Sequence, residues 1–195
     1  MAIPEKSTRE RIVSAAAHLF YSEGIRAVSV DAVAEQAGVT KRTLYYHFES
    51  KDDLIAAYLE TRDQPNLALF KRWFNETDGD VSEKTAGIFR NLARSARHKK
   101  WKGCGFLRTA AELANKPGHP AIKMGIAHKK RVEDWLCEIF DAGLGAQARL
   151  LARQVVLLMD GAFAMMLLNR DPAYMEAAGE AARTLISTRR LQDPG

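Results

Sequence analysis

Apolar residues recur along this chain at the three- and four-residue spacing of helices. The first set is Ile12, Ala15, Ala16, Leu19 and Phe20, one face of a helix. Ser7 and Glu10 stand before it in the S-x-x-E order of a capping box, and Gly24 is a stop signal. Two shorter sets follow: Val33, Ala34 and Ala37, closed by Gly38, and then Leu44 with Phe48. Ser29 and Thr40 are placed to cap these two segments. The pattern predicts two short helices, the second over Lys41 to Phe48, joined by a tight turn at Gly38-Val39.

The helical period continues to the end of the chain. A fourth helix should start at Ser50 and run toward Phe74, kinked or interrupted at Pro65. After a turn at Thr77 to Val81, a fifth runs from Ser82 to about His98, with Ile88, Phe89, Leu92, Ala93 and Ala96 inside. A sixth lies in GCGFLRTAAELAN (103–115), followed by a break at Pro117 to Pro120. The seventh, from Pro120 to about Ala142, turns Ile122, Ile126, Trp135, Leu136, Ile139 and Phe140 inward. The eighth spans about Ala146 to Asn169. It is apolar nearly all round from Val155 onward, so it is either deeply buried or in an interface. Asp171-Pro172 opens a ninth, from Ala173 to about Arg189, and the tail RLQDPG is expected to be loose. No alternating strand pattern is present. The fold class is all-α, with a three-helix head in residues 1–50 and a helical body in 51–195.

The outward residues of the third helix are Lys41, Arg42, Thr43, Tyr45, Tyr46 and His47. Lys and Arg pair with guanine edges or phosphates, Thr bonds either, and Tyr donates to phosphate. Two helices about a tight turn, the second basic and polar outside, have the plan of a helix-turn-helix. A purely structural hairpin has the same spacing, so the pattern alone leaves both open.

The flanks carry more. AAAHLFYSEG (15–24), SVDAVAEQAGV (29–39), TLYYHF (43–48) and SKDDL (50–54) closely resemble the DNA-binding domain of the TetR family of bacterial transcriptional regulators. The likeness runs from residue 7 to 54 and weakens beyond residue 60. Arg42 departs from it, at a position often held by a small residue. The resemblance implies that Lys41, Arg42, Thr43 and Tyr45 lie toward bases. It places Ser29, Thr40, Tyr46, His47 and Lys51 toward phosphates, or as residues that hold the helix in register. Lys51 is otherwise an odd choice, because a cation at a helix start opposes the dipole, and a phosphate beside it would remove the difficulty. A solvated surface lysine is the alternative. The family also implies a homodimer through the last two helices, a roughly palindromic operator, repression in most members, and a small-molecule effector in the body. Candidates for an effector pocket are Phe70, Trp73, Phe89, Leu92, Cys104, Phe106, Thr109, Met159 and Phe163, large apolar residues with a few polar ones among them. The same residues could simply fill a core. The effector would be apolar or aromatic, and uncharged or anionic.

Composition adds a few bounds. Of 195 residues 47% are hydrophobic, enough for a sizeable core, and the net charge of +5 favours polyanion partners. Lys84, Arg90, Arg94, Arg97, Lys99, Lys100 and Lys102 form a basic run without an acid between Lys84 and Lys102. It reads as a solvated face or as a second patch near DNA. MAIPEKSTRE has no apolar core of a signal peptide. The apolar run Val155 to Leu168 contains Asp160 and Gly161 and is read as too short to span a bilayer. Two cysteines far apart, Cys104 and Cys137, fit a reducing cytoplasm. Cys104 is either packing or a thiol at a helix start. The five histidines have no His or Cys partner at metal-ligand spacing, and no phosphate loop or nucleophile motif occurs. The sequence therefore offers no catalytic residues, metal or cofactor. A protein-binding module and an enzyme are the alternatives to a DNA-binding regulator.

Overall fold

A computed structural model describes residues 6–192 of the chain. Nine α-helices follow one another: α1 (Thr8–Glu23), α2 (Val30–Ala37), α3 (Lys41–His47), α4 (Lys51–Glu76), α5 (Val81–Ala96), α6 (Gly105–Glu112), α7 (Pro120–Leu144), α8 (Ala148–Asn169) and α9 (Ala173–Gln192). A 3-10 turn at Gly145–Gln147 leads into α8. Among the described residues there is no strand. The expectations for the first residues of the chain and for the last three of the tail lie outside the described residues.

Local chemistry accounts for the helix starts. Ser7 caps α1 by accepting from the Glu10 N–H (3.3 Å), while the Ser7 N–H donates to Glu10 Oε2 (2.8 Å), the reciprocal pair of a capping box. These bonds from Ser7 hold the Glu10 carboxyl below the usual carboxylate range. Asp80 Oδ1 accepts from the Ser82 (2.9 Å) and Glu83 (3.0 Å) N–H groups at the start of α5. Asp171 Oδ1 accepts from the Ala173 N–H (2.9 Å) at the start of α9.

The chain packs as two compact units. The first ends at Gln64 and takes in Gly105–Ile126; the second is Pro65–Cys104 and the chain from Ala127 onward. In the first unit Ile12, Ala16, Phe20, Ile25, Val28, Val33, Leu44 and Phe48 are buried. Each large apolar side chain among them stabilises the unit by about 1.5–3 kcal/mol when fully removed from water. Phe20 meets Tyr58 of α4 edge to face, with ring centroids 5.8 Å apart.

Residues far along the chain complete this unit. Glu112 accepts through Oε1 from the Ile25 N–H (3.3 Å) and through Oε2 from the Arg26 N–H (2.8 Å). Arg108 donates to the Tyr21 carbonyl at 2.7 Å. Gly24 sits between these bonds with φ of +95°, and a Cβ there would come within 2.9 Å of Glu112 Oε1. Backbone geometry and the carboxylate thus both require glycine.

In the second unit α5 lies close against α9. A Cβ on Gly179 would come within 2.8 Å of the Phe89 Cβ, so the small residue permits the approach. Ser187 Oγ donates to Ser82 Oγ at 3.0 Å. The α8 helix has two apolar faces. Leu151, Val155, Met159, Ala162, Phe163 and Met166 are buried, while Leu157 and Leu168 are 65% and 77% exposed. The deeply buried reading thus holds for one face of α8, while the other face is open. Lys129 of α7 pairs with Asp160 of α8, which gives the acid in this apolar helix its partner.

Several details differ from the sequence reading. Pro65 does not break α4, which runs through it. A proline has no N–H to give Thr61, so the helix continues with one backbone bond fewer. The third helix ends at His47, and Phe48 is its C-cap with extended backbone. The α6 helix is shorter than 103–115, with Gly103 before it at φ +77° and turns after Glu112. Ile126 is 65% exposed instead of inward. The α9 helix includes Arg190 to Gln192, where a loose tail was expected. Gly145–Asn169 forms 25 helical residues with a mean hydropathy of 1.6 in its most apolar window, long and apolar enough to cross a membrane by length and composition. Shortness is thus no argument here; packing on α9 accounts for the apolar residues of the buried face of α8, and Leu157 and Leu168 lie outside it.

Candidate nucleic-acid interface

The α2–α3 corner is fixed by backbone and by one arginine. Gly38 takes the left-handed conformation (φ 64°, ψ 41°), and the Val39 N–H reaches back to the Ala34 carbonyl at 3.0 Å. Arg11 of α1 donates to the Ala37 carbonyl (2.7 Å) and the Gly38 carbonyl (3.1 Å). A helix end leaves its last carbonyls without helical donors, and Arg11 serves them here.

Two of the proposed contact residues are caps. Ser29 Oγ accepts from the Ala32 N–H (3.1 Å), and Thr40 Oγ1 accepts from the Thr43 N–H (3.1 Å). The Thr40 and Thr43 hydroxyls also bond each other at 2.8 Å. Leu44 and Phe48 anchor α3 inward. That leaves Lys41 and Arg42 exposed, Tyr45 44% exposed and Tyr46 86% exposed. Thr43 and His47 are half-buried, and the Tyr46 and His47 rings meet edge to face at 5.3 Å. Arg9 of α1 lies over the Phe48 ring, 5.1 Å from its centroid.

The electrostatics of α3 are unusual. Its first turn holds Lys41 and Arg42 and no acid, although that end of a helix carries partial positive charge. Asp31 of α2 answers this. Its carboxylate lies 3.0 Å from Lys41 Nζ and raises the lysine pKa above its ordinary value. Lys51, at the start of α4, is half-buried; burial pulls its pKa below 10.5, against the opposing pull of Glu112 and Asp52.

The nine candidates for an effector pocket are all buried. Phe106 and Thr109 belong to the first unit and the other seven to the second. Within the second, Phe70 and Trp73 are 6.1 Å apart, and Trp101 stacks on Phe163 at 6.0 Å. A cleft of about 440 Å³ lies elsewhere in that unit. It is lined by Arg90 and Arg94 of α5, its C-cap Arg97, and Glu176 and Glu180 of α9, over Ala86 and Gly179. None of the nine candidates lines it.

That cleft bears on the basic run. Arg97 pairs with Glu176 (3.0 Å) and Arg90 with Glu83 (2.8 Å), while Arg94 donates to Asn91 Oδ1 (3.1 Å). Among the described residues no group of three His, Cys, Asp or Glu is placed to hold a metal ion. Cys104 is buried, as packing requires. Sequence reasoning missed Arg11, Asp31, Arg108 and Glu112. Only the Asp31–Lys41 pair had a local signal, opposite charges in the first turns of two adjacent short helices.

Comparison with known proteins agrees with this geometry. Residues 12–58 match the family model described as bacterial regulatory proteins, tetR family. Over the whole length, the chain is 30% identical to SCO4454, a TetR-family transcriptional regulator from Streptomyces coelicolor. The alignment covers 95% of each chain with a TM-score of 0.77. The chain belongs to the TetR family. It is a TetR-family transcriptional regulator with a helix-turn-helix DNA-binding domain. Among curated TetR-like relatives, the Pseudomonas putida regulator TtgW is 38% identical over 64 residues. That match is 33% of this chain and covers about half (48%) of TtgW's length. The Escherichia coli regulator YjdC is 21% identical over 187 residues, 96% of this chain and 97% of YjdC.

Proposed function

We propose that this TetR-family chain is a cytoplasmic repressor that binds a roughly palindromic operator as a homodimer and releases it when a small molecule occupies the body. Residues 1–50 act as the DNA-binding domain and 51–195 as the effector-binding and dimerisation domain. The observation that carries this reading is the division of α3. Leu44 and Phe48 fix it to the core, and Lys41, Arg42, Tyr45 and Tyr46 stand out together on its free side.

On this reading α3 enters the major groove. Lys41, Arg42, Thr43 and Tyr45 face base edges, while Ser29, Thr40, Tyr46, His47 and Lys51 face phosphates or keep the helix in register. Two heads are needed to meet successive major grooves, about 34–36 Å apart. The exposed face of α8, with Leu157 and Leu168, supports a dimer through α8 and α9. The effector is apolar or aromatic and is taken up in the second unit, among Phe70, Trp73, Phe89, Leu92, Cys104, Met159 and Phe163. It acts by binding the arrangement that does not fit DNA more tightly than the one that does, since equal affinity would shift nothing.

The test is selection of bound duplexes from a random pool, then titration of the recovered duplex at several salt concentrations. The expected results are an inverted repeat and an affinity that falls steeply as salt rises. Salt-insensitive binding, or no enrichment, would overturn the proposal in favour of a protein-binding module.

A further inference from the structure

Asp31 offsets the cation at the start of α3 and suits the first turn of α2, but an ion pair this exposed contributes little to stability by doing so. Lys41 Nζ lies 3.0 Å from both carboxylate oxygens of Asp31, yet the two side chains are 65% (Asp31) and 55% (Lys41) exposed. Pairs this exposed add little to stability, because water competes for both partners. The corner beside it is already held by Gly38, by the Val39 N–H bond and by Arg11. What the pair changes is what Lys41 can reach. A free lysine sweeps a wide arc on a four-carbon stem and takes any phosphate within it. Tethered to Asp31, its ammonium is held at the start of α3. It has three N–H donors, and a carboxylate with two oxygens leaves at least one of them free.

We propose that Asp31 is a specificity-determining positioning residue, which tethers the Lys41 ammonium so that it is presented to base edges and withheld from phosphates. The inference rests on α3 being the operator-reading helix. On random DNA the tether removes one phosphate contact, and the carboxylate repels the backbone. On the operator Lys41 keeps Asp31 and gives its remaining donor to an acceptor such as guanine O6 or N7. The carboxylate therefore weakens wrong complexes more than the right one, which is how a repulsive group adds discrimination.

The experiment compares two duplexes, one recovered by selection from a random pool and one scrambled to the same composition. Asp31→Asn is expected to tighten the scrambled duplex by roughly five-fold, the factor that the upper range for a surface ion pair represents. Its salt slope should steepen by about one, because the released lysine neutralises one more phosphate. Selectivity should fall by the same factor, and Asp31→Glu should restore much of it. Glu35→Gln removes an equal charge from the exposed side of the same helix and should move both duplexes alike. In a Lys41→Met background, Asp31→Asn should behave like Glu35→Gln. If Asp31→Asn already does so with Lys41 in place, Asp31 acts only as general charge and the proposal is overturned. If Lys41→Met leaves the recovered duplex as tightly bound as before, Lys41 makes no base contact and the proposal is overturned; if Tyr45→Ala leaves it unchanged as well, α3 is not the reading helix and the underlying function fails first. Thermal melting of each variant separates these results from loss of the fold.

Discussion

Two helices of this protein look alike in a short window of sequence and are unlike in the folded chain. Both α3 and the second half of α5 carry two cations and no acid of their own. Around α5 the acids come from its own first turn and from α9: Glu83 meets Arg90, and Glu176 of α9 meets Arg97, the C-cap of α5. In α3 one carboxylate, Asp31, meets Lys41, while Arg42, Tyr45 and Tyr46 stay on the exposed side. A basic run is thus a statement about composition, and whether it remains a surface charge depends on which distant residues fold onto it. The arginines at α5 are partnered within their own unit, whereas Arg42, Tyr45 and Tyr46 stand together on the exposed side of α3.

The largest expected effect separates the two heads without touching either basic helix. Leu157→Asp places a charge on the exposed face of α8 and should turn a dimer into a monomer by light scattering, with operator affinity falling by orders of magnitude. Phe163 is buried within the chain, so a charge there should unfold it and would not test the dimer. If Leu157→Asp remains a dimer, the seam lies elsewhere.

Next come the contacts of α3. Lys41→Ala and Tyr45→Ala should each weaken operator binding by about five- to a hundred-fold and relax base preference, as losing a base contact does. Arg94→Gln on α5 should leave operator affinity within about two-fold, as a surface change away from the duplex does. Equal losses from both helices in the titration would erase the difference between them. A smaller and sharper test replaces Lys99, Lys100 and Lys102 with Gln. The salt slope should stay the same; a flatter one would mean that the end of α5 also meets phosphates.

The smallest effect is one of pH. Burial holds the Lys51 pKa below 10.5 in the free protein, and an adjacent phosphate would raise it. The operator complex then holds a proton more tightly than free protein does. Affinity should fall as pH rises through the depressed value, and Lys51→Met should abolish that fall. Stability of the free protein runs the other way. The unfolded chain binds this proton more tightly, so stability rises with pH as 10.5 is approached. Opposite slopes in a melting series and a binding series would identify Lys51.

What could be read in the sequence divides by the reach of each interaction. The caps at Ser7, Ser29 and Thr40 bond residues three positions on, and the Gly38 turn closes within five, so each was legible. The apolar stripes of α1 and α5 were legible for the same reason. Pro65 does not interrupt α4, because a proline costs a helix one bond and some strain, which packing over 26 residues outweighs. The exposure of Ile126 depends on what lies opposite it, and nothing in α7 encodes that. The Arg11 bonds to Ala37 and Gly38 join residues 26 and 27 apart, and no local period announces them.

The bonds from Glu112 to Ile25 and Arg26 bear on how this protein can be taken apart. The compact unit that holds α3 is not one continuous length of chain, since Gly105–Ile126 belongs to it. Cutting after residue 50, or grafting these fifty residues onto another regulator's body, would leave two N–H groups at the α1–α2 turn without their carboxylate. The Tyr21 carbonyl would lose its guanidinium as well. A chimera that transplants operator preference should therefore carry two pieces, and would have to thread the second through the recipient as an insertion.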